Sequence, residues 1–209
     1  MHFVDRLAFD QQSKTLSGIN LIAQKGSALD LADCYALHES LRIPYAERTR
    51  RILPEMWRIL LSIGAMHLFV VYDRAQPTSS RIVSFNATVF VTDEFTSAAQ
   101  LNLPPYLGVE LGQRYLSNEL PVLNREKVAL ANAREGLNVM MCFEGWTQSG
   151  FSPEQFLAVR VKQNEAFHLG LHGHRVKEFL AEPIGAETLQ WTSLSDTLMN
   201  LSIVLGLKL

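Results

Sequence analysis

Two spacings organise the apolar positions of this chain, one near 3.6 residues and one of 2. Near the start, "INLIAQ" (19–24) alternates as a strand does. In the "GSALDLADCYALHESLRI" that follows, Leu31, Cys34, Tyr35, His38 and Leu41 fall on one face of a helix, with Ser27 and Asp30 spaced as a capping box. "AERTRRIL" predicts a further short helix that stops near Leu53, because Pro54 disfavours helical geometry in the residue before it. Pro54 then suits the first turn of a separate helix, "PEMWRILLSIG", with Gly64 as its stop. "MHLFVVYD" (66–73) and "RIVSFNATVFVT" (81–92) flank the turn-rich "RAQPTSS" and predict an antiparallel pair.

From Asp93 to about Glu135 the period becomes helical, broken by Pro104, Pro105 and Pro121. Asn124 is placed to cap the last of these helices, and Gly136 to end it. "LNVMMCFEGW" (137–146) predicts a short apolar strand. Ser152, Pro153 and Glu154 make a strong helix start. "HRVKEFLAE" and the terminal "LMNLSIVLGLKL" predict two more strands. No repeat, linker or composition break divides residues 1–209. The order predicts one α/β domain, a mixed sheet of about six or seven strands flanked by helices. "RIVSFNATVFVT" is expected at its centre with "LNVMMCF" beside it in parallel, since both are apolar on both faces.

Composition narrows the function classes. Of 209 residues, 47% are hydrophobic and 19% charged, which suits a globular core and excludes disorder. A net charge of −2 offers no general field for nucleic acid or an anionic membrane. "WRILLSIGAMHLFVVY" is interrupted by Arg58, Gly64 and His67, so no membrane span is expected. Asp5 and Asp10 stand where a signal peptide needs a basic start, and a cytoplasmic location is expected. Cys34 and Cys142 lie in apolar patterns and predict buried, reduced thiols.

The densest chemistry is in "HLGLHGHRVKEFLAEPIG" (168–185). His168 and His172 are four apart, as two metal ligands on one helix face would be. Gly170 and Gly173 end the helix there, and no further ligand is close in sequence except Glu165 and Glu178. No bound metal is expected, and the histidines read as polar caps or cleft lining. No Gly-x-Ser-x-Gly, dinucleotide or P-loop pattern occurs.

This stretch also resembles the closing unit of the GCN5-related N-acetyltransferase superfamily. In that family a helix ends at a Gly-aromatic-Arg turn and a strand leaves it; here the turn is Gly173, His174, Arg175, followed by "VKEFLAE" and Gly185. "LFVVYD…RIVSFNATVFV" is similar to the family's central antiparallel strands. "VTDEF" (91–95) resembles the end of its coenzyme-A-binding strand, and "AREGLNVMMCF" the Gly-led strand after the coenzyme-binding helix. The family's Arg/Gln-x-x-Gly-x-Gly/Ala phosphate loop would fall on "TSAAQLNLPPYLGVELGQ". There Gly108 and Gly112 are four apart, two prolines lack N–H donors, and no Arg or Lys occurs between Arg81 and Arg114. The family's usual acid, a Tyr, falls on Leu169.

The resemblance implies an acyl-CoA N-acyltransferase-like fold and transfer of an acyl group from a thioester to an amine. The backbone of Phe90 and Val91 would hold the carrier's pantetheine arm, and the helix start at Gly108 would face its phosphates. His168, beside the missing Tyr position, and Glu144, at the end of "LNVMMCFE", are the candidate bases. On its residue type alone Glu144 reads first as a carboxylate facing water, since Glu is rarely buried unpaired. Acetyl-coenzyme A or another acyl thioester is the expected cofactor, with coenzyme A bound weakly if at all. The alternative is a non-catalytic protein of the same fold whose cleft binds a small molecule or a protein. Nucleic acid and membrane are not expected partners; a homodimer stays open.

Overall fold

The computed structural model describes residues 19–41, 43–74, 81–102, 104, 106–147 and 150–181. Its five strands are β1 (Leu21–Lys25), β2 (Met66–Asp73), β3 (Arg81–Val91), β4 (Leu137–Trp146) and β5 (Val176–Ala181). They form one mixed sheet in the order β1-β2-β3-β4-β5. Five strands among the described residues are fewer than the six or seven expected; "LMNLSIVLGLKL" lies outside those residues. The helices are α1 (Leu31–Ser40), α2 (Glu47–Ser62), α3 (Asp93–Asn102), α4 (Leu107–Leu116), α5 (Arg125–Ala133) and α6 (Pro153–Leu171). The fold is a mixed α/β sheet flanked by helices.

Strands β1 to β4 pair antiparallel, and only β4 and β5 pair in parallel. This corrects the expected parallel pairing of "RIVSFNATVFVT" with "LNVMMCF". The reason is the length of the connection. Helices α3, α4 and α5 carry the chain out and back to the edge it left, so Val91 at the end of β3 faces Asn138 at the start of β4. A single helix, α6, makes the crossover that a parallel pair needs, and it joins β4 to β5. One irregularity interrupts the β3–β4 ladder: Ala87 faces Phe143 while Thr88 faces Met141, which leaves Cys142 as a bulge on β4.

The main core lies on the face covered by α1, α2 and α4. Trp57, Met56, Leu60, Phe85, Phe143 and Leu111 are fully buried there. Gly108 and Gly112 let α4 approach closely. A Cβ on Gly108 would come 2.7 Å from the Phe143 ring, and one on Gly112 2.7 Å from Thr49. Helix α6 covers the other face, with Phe167 in the cluster around Phe90 and Phe179, and Val159 against Val71 and Val83.

Helix α2 corrects a second expectation. Pro54 lies inside one continuous helix, not at a boundary. Proline removes the N–H that would bond to the carbonyl four residues earlier. That carbonyl belongs to Arg50, and the Tyr35 hydroxyl from α1 donates to it at 3.1 Å. The helix thus survives its proline because a neighbour satisfies the group the proline orphans. Tyr35→Phe is expected to cost about 1–2 kcal/mol in urea unfolding, the range for an unsatisfied buried acceptor. In the Pro54→Ala background the same change should cost less, because the helix N–H is restored. Equal costs in the two backgrounds would contradict this account.

Candidate functional site

Strand β4 ends in Glu144, Gly145 and Trp146, and α6 lies across the sheet beyond it. Ser152 caps α6: its hydroxyl accepts from the Gln155 N–H at 3.3 Å, and its own N–H bonds Gln155 Oε1 at 2.9 Å. One turn or more into that helix, Arg160 and Gln163 are three apart and reach the same carboxylate. Arg160 Nη1 donates to Glu144 Oε2 at 3.2 Å, and Gln163 Nε2 lies 3.5 Å from that oxygen. Gln163 is itself fixed, donating to the Phe85 carbonyl at 2.7 Å and accepting from Arg160 at 2.8 Å. The guanidinium of Arg160 stands 4.9 Å from the centre of the Trp146 ring.

Glu144 is 7% exposed, so the carboxylate is not the solvated group that one reading of the sequence allowed. Burial pushes its acidity down, raising the pKa from the usual carboxylate range, while Arg160 and Gln163 pull in the other direction. A buried carboxylate whose protonation is balanced this way is the kind of group found at acid–base sites.

The opposite side of Glu144 is anchored by a residue the sequence reading placed only as a helix-face position. His38 of α1 donates from Nδ1 to the Glu144 carbonyl at 2.8 Å. A carbonyl can only accept, so Nδ1 carries the proton; Nε2 then accepts from the Tyr45 hydroxyl at 2.7 Å. Burial lowers the His38 pKa, which agrees with a neutral ring. The sequence signal was a polar residue on the otherwise apolar face of α1.

Facing Glu144 across the ladder is Asn86. Its Nδ2 contacts the Gln163 carbonyl at 3.4 Å, while its Oδ1 has no protein partner among the described residues. Ser84 Oγ and Thr88 Oγ1, two positions either side on β3, are likewise buried without a partner. Buried polar atoms are normally bonded, so this run of polar positions marks a place where the interior is not built for stability alone.

The other expected site residues lie elsewhere. Phe90 is fully buried; its N–H donates to the Ala65 carbonyl at 2.9 Å and its carbonyl accepts from Leu123 at 2.8 Å. Val91 pairs with Asn138 and bridges to Val122. Gly108 is buried against Phe143, with the Tyr45 hydroxyl and the Cys142 carbonyl nearby. These three residues are therefore core, and the backbone of Phe90 is already committed. Asp93 is held by Lys177 at 2.8 Å and Asn138 at 2.6 Å, which lower its pKa.

His168 is exposed near the end of α6, beside the Phe167 ring. His174 turns away from it, toward His67 of β2, with ring centres 5.5 Å apart. Among the described residues, no three His, Cys, Asp or Glu side chains gather to hold a metal. Both cysteines are buried and unpaired with one another. No described helix is long and apolar enough to cross a membrane.

No family model and no curated relative matches the sequence. Solved structures do. A predicted acetyltransferase from Clostridium acetobutylicum, determined with acetyl-CoA, is 9% identical; the match covers 84% of this chain and 96% of that one at a TM-score of 0.43. Aminoglycoside N-acetyltransferase AAC(6')-Iy in complex with CoA is 10% identical, covering 93% of this chain and 92% of that one, also at 0.43.

Proposed function

We propose that this chain is an N-acyltransferase-like protein that moves an acyl group from a thioester carrier to an amine, and that the carrier lies where β4 outruns β5. One observation carries this reading. The parallel pair ends at Met141 and Ala181, and β4 continues from Cys142 to Trp146 with no described strand on that side. Among the described residues that edge of β4 has no strand beside it, and an extended, amide-bearing arm could pair with it as one does with a sheet edge. In the family resembled here, the coenzyme unit is a strand, a phosphate loop, a helix and a Gly-led strand. The antiparallel β3–β4 pair cannot supply it. Strand β4, residues 147–152, α6 and the Gly173-led β5 do so in order.

Glu144 lies on this stretch of β4 and is the group placed to take a proton from the substrate ammonium. The neutral amine then bonds to the thioester carbon, the carbon–sulfur bond breaks, and the second nitrogen proton passes to the departing sulfur, which leaves as thiol. Arg160 orients Glu144 and favours its charged form in a site where burial favours the protonated one. The same ion pair supports a second reading, a non-catalytic binder, because a carboxylate engaged by arginine is a weaker base.

The phosphates of coenzyme A are poorly served. No Arg or Lys occurs between Arg134 and Arg160, a span that includes the whole 147–152 segment. Each charge-assisted hydrogen bond left unmade costs roughly 1.5–3 kcal/mol. Calorimetric titration is expected to show acetyl-pantetheine and acetyl-coenzyme A binding with similar, weak affinity. Micromolar or tighter binding of the coenzyme alone would refute the account of the phosphate end. Failure of both to bind would remove the acyltransferase reading.

A further inference from the structure

The opposite end of the sheet holds a second feature that acyl transfer does not use. A cleft of about 700 Å³ is bounded by the end of β1, the end of α2, the start of β2, α5 and the turn before β5. Its cationic wall residues are Lys25, Arg58 and Arg125, and His67 and His174 lie between them. Among the described residues no Asp or Glu contributes to the wall, and none of the three cations has a carboxylate partner. Asp30, close by in sequence, is taken up by Ser27 and the Tyr72 hydroxyl.

We infer that this cleft binds a small phosphomonoester, its phosphate held by Arg58, Arg125 and Lys25 and its organic body lying on Leu61, Met66 and Val128. Three cations around one concavity, with no carboxylate partner among the described residues, repel one another, an arrangement that a multiply charged anion relieves. Two guanidiniums supply forked donors that match phosphate oxygens. The apolar wall argues for an ester over the free ion, and the volume lies in the range of small-molecule sites. His174 Nδ1 is buried beside the cleft with no hydrogen-bond partner among the described residues. Lys25 and burial both disfavour charge on His67 and His174, so the field in the cleft is already positive when the imidazoles are neutral.

Geometry separates this site from the acyl-transfer site. Lys25 faces Phe69 from β1, whereas Glu144 faces Asn86, which faces Phe69 from the other side, so β2 and β3 both lie between Lys25 of the cleft and Glu144. The test uses the full chain, phenyl phosphate and inorganic phosphate as probes, and chloride at matched ionic strength as the blank. Imidazole resonances of His67 and His174 report occupancy directly. Phenyl phosphate is expected to shift both and to bind more tightly than inorganic phosphate. Because Arg58 and Arg125 are exposed, Arg58→Met with Arg125→Met should leave the fold intact. That pair should weaken phenyl phosphate at least about tenfold, the scale of one lost charge-assisted contact; Arg48→Met, outside the cleft, should not. Unmoved histidine signals, unchanged affinity in the double variant, or equal affinity for the two phosphates would overturn the proposal.

Discussion

Gly170→Val should cost about 3 kcal/mol or more in urea unfolding, the upper range for forcing atoms into a packed interface. Gly170 sits on the face of α6 that crosses β2. A Cβ built there would fall inside the ring of Phe69, which is 4% exposed and has little room to turn. The Gly170 carbonyl also accepts from His67, so shifting the helix breaks that bond as well. Gly170→Ala should cost less, because alanine regains about 1 kcal/mol of helix propensity. Shortening the ring with Phe69→Leu should rescue part of the loss in the Gly170→Ala background. A glycine variant as stable as the parent would show that α6 does not pack at this distance. In sequence, this glycine reads as the point where a helix frays; in the structure, helix α6 continues past it to Leu171.

Glu144→Gln should lower kcat/KM for amine acylation by about 100-fold or more, the lower bound for losing a positioned general base. The change keeps shape and removes charge, so its effect on stability should be small beside its effect on rate. The pH profile supplies a second readout. The raised pKa of Glu144 keeps the base protonated to higher pH than an exposed glutamate, so the parent's rate should climb as pH rises through that pKa. The limb should vanish in the glutamine variant. Arg160→Met should move it to higher pH, because the cation that favours the carboxylate is gone. Wild-type rate in Glu144→Gln would leave the non-catalytic reading in possession of the site. His168→Ala, at an exposed position remote from these contacts, should leave the rate unchanged.

Local periodicity carried most of the architecture. Strands β2 and β4 begin and end where alternation and apolar runs placed them, and Ser27, Asn124 and Ser152 cap the helices their spacing suggested. What spacing could not carry was the direction of β4. Both faces of that strand are buried whether its neighbour runs parallel or antiparallel, so the pattern is the same in either case. The deciding fact is that three helices return the chain to the edge it left. A parallel pairing of β3 and β4 put the expected carrier site on Phe90, Val91 and Gly108; with antiparallel pairing those residues lie in the core. Pro54 misled for a related reason. Its local rule is correct, but the donor that offsets it, Tyr35, lies on another helix. Glu144 was legible as a carboxylate at a strand end; its partners Arg160, Gln163 and His38 come from two helices that only the fold brings together.

Hydrogen exchange of backbone amides, with and without millimolar acetyl-coenzyme A, tests the placement of the thioester most directly. Slowed exchange is predicted from Cys142 to Trp146 and in the first turn of α6, with Phe90, Val91 and the start of α4 unaffected. Slowing at Leu107–Glu110 with Cys142–Trp146 unchanged, or no slowing at either, would contradict it.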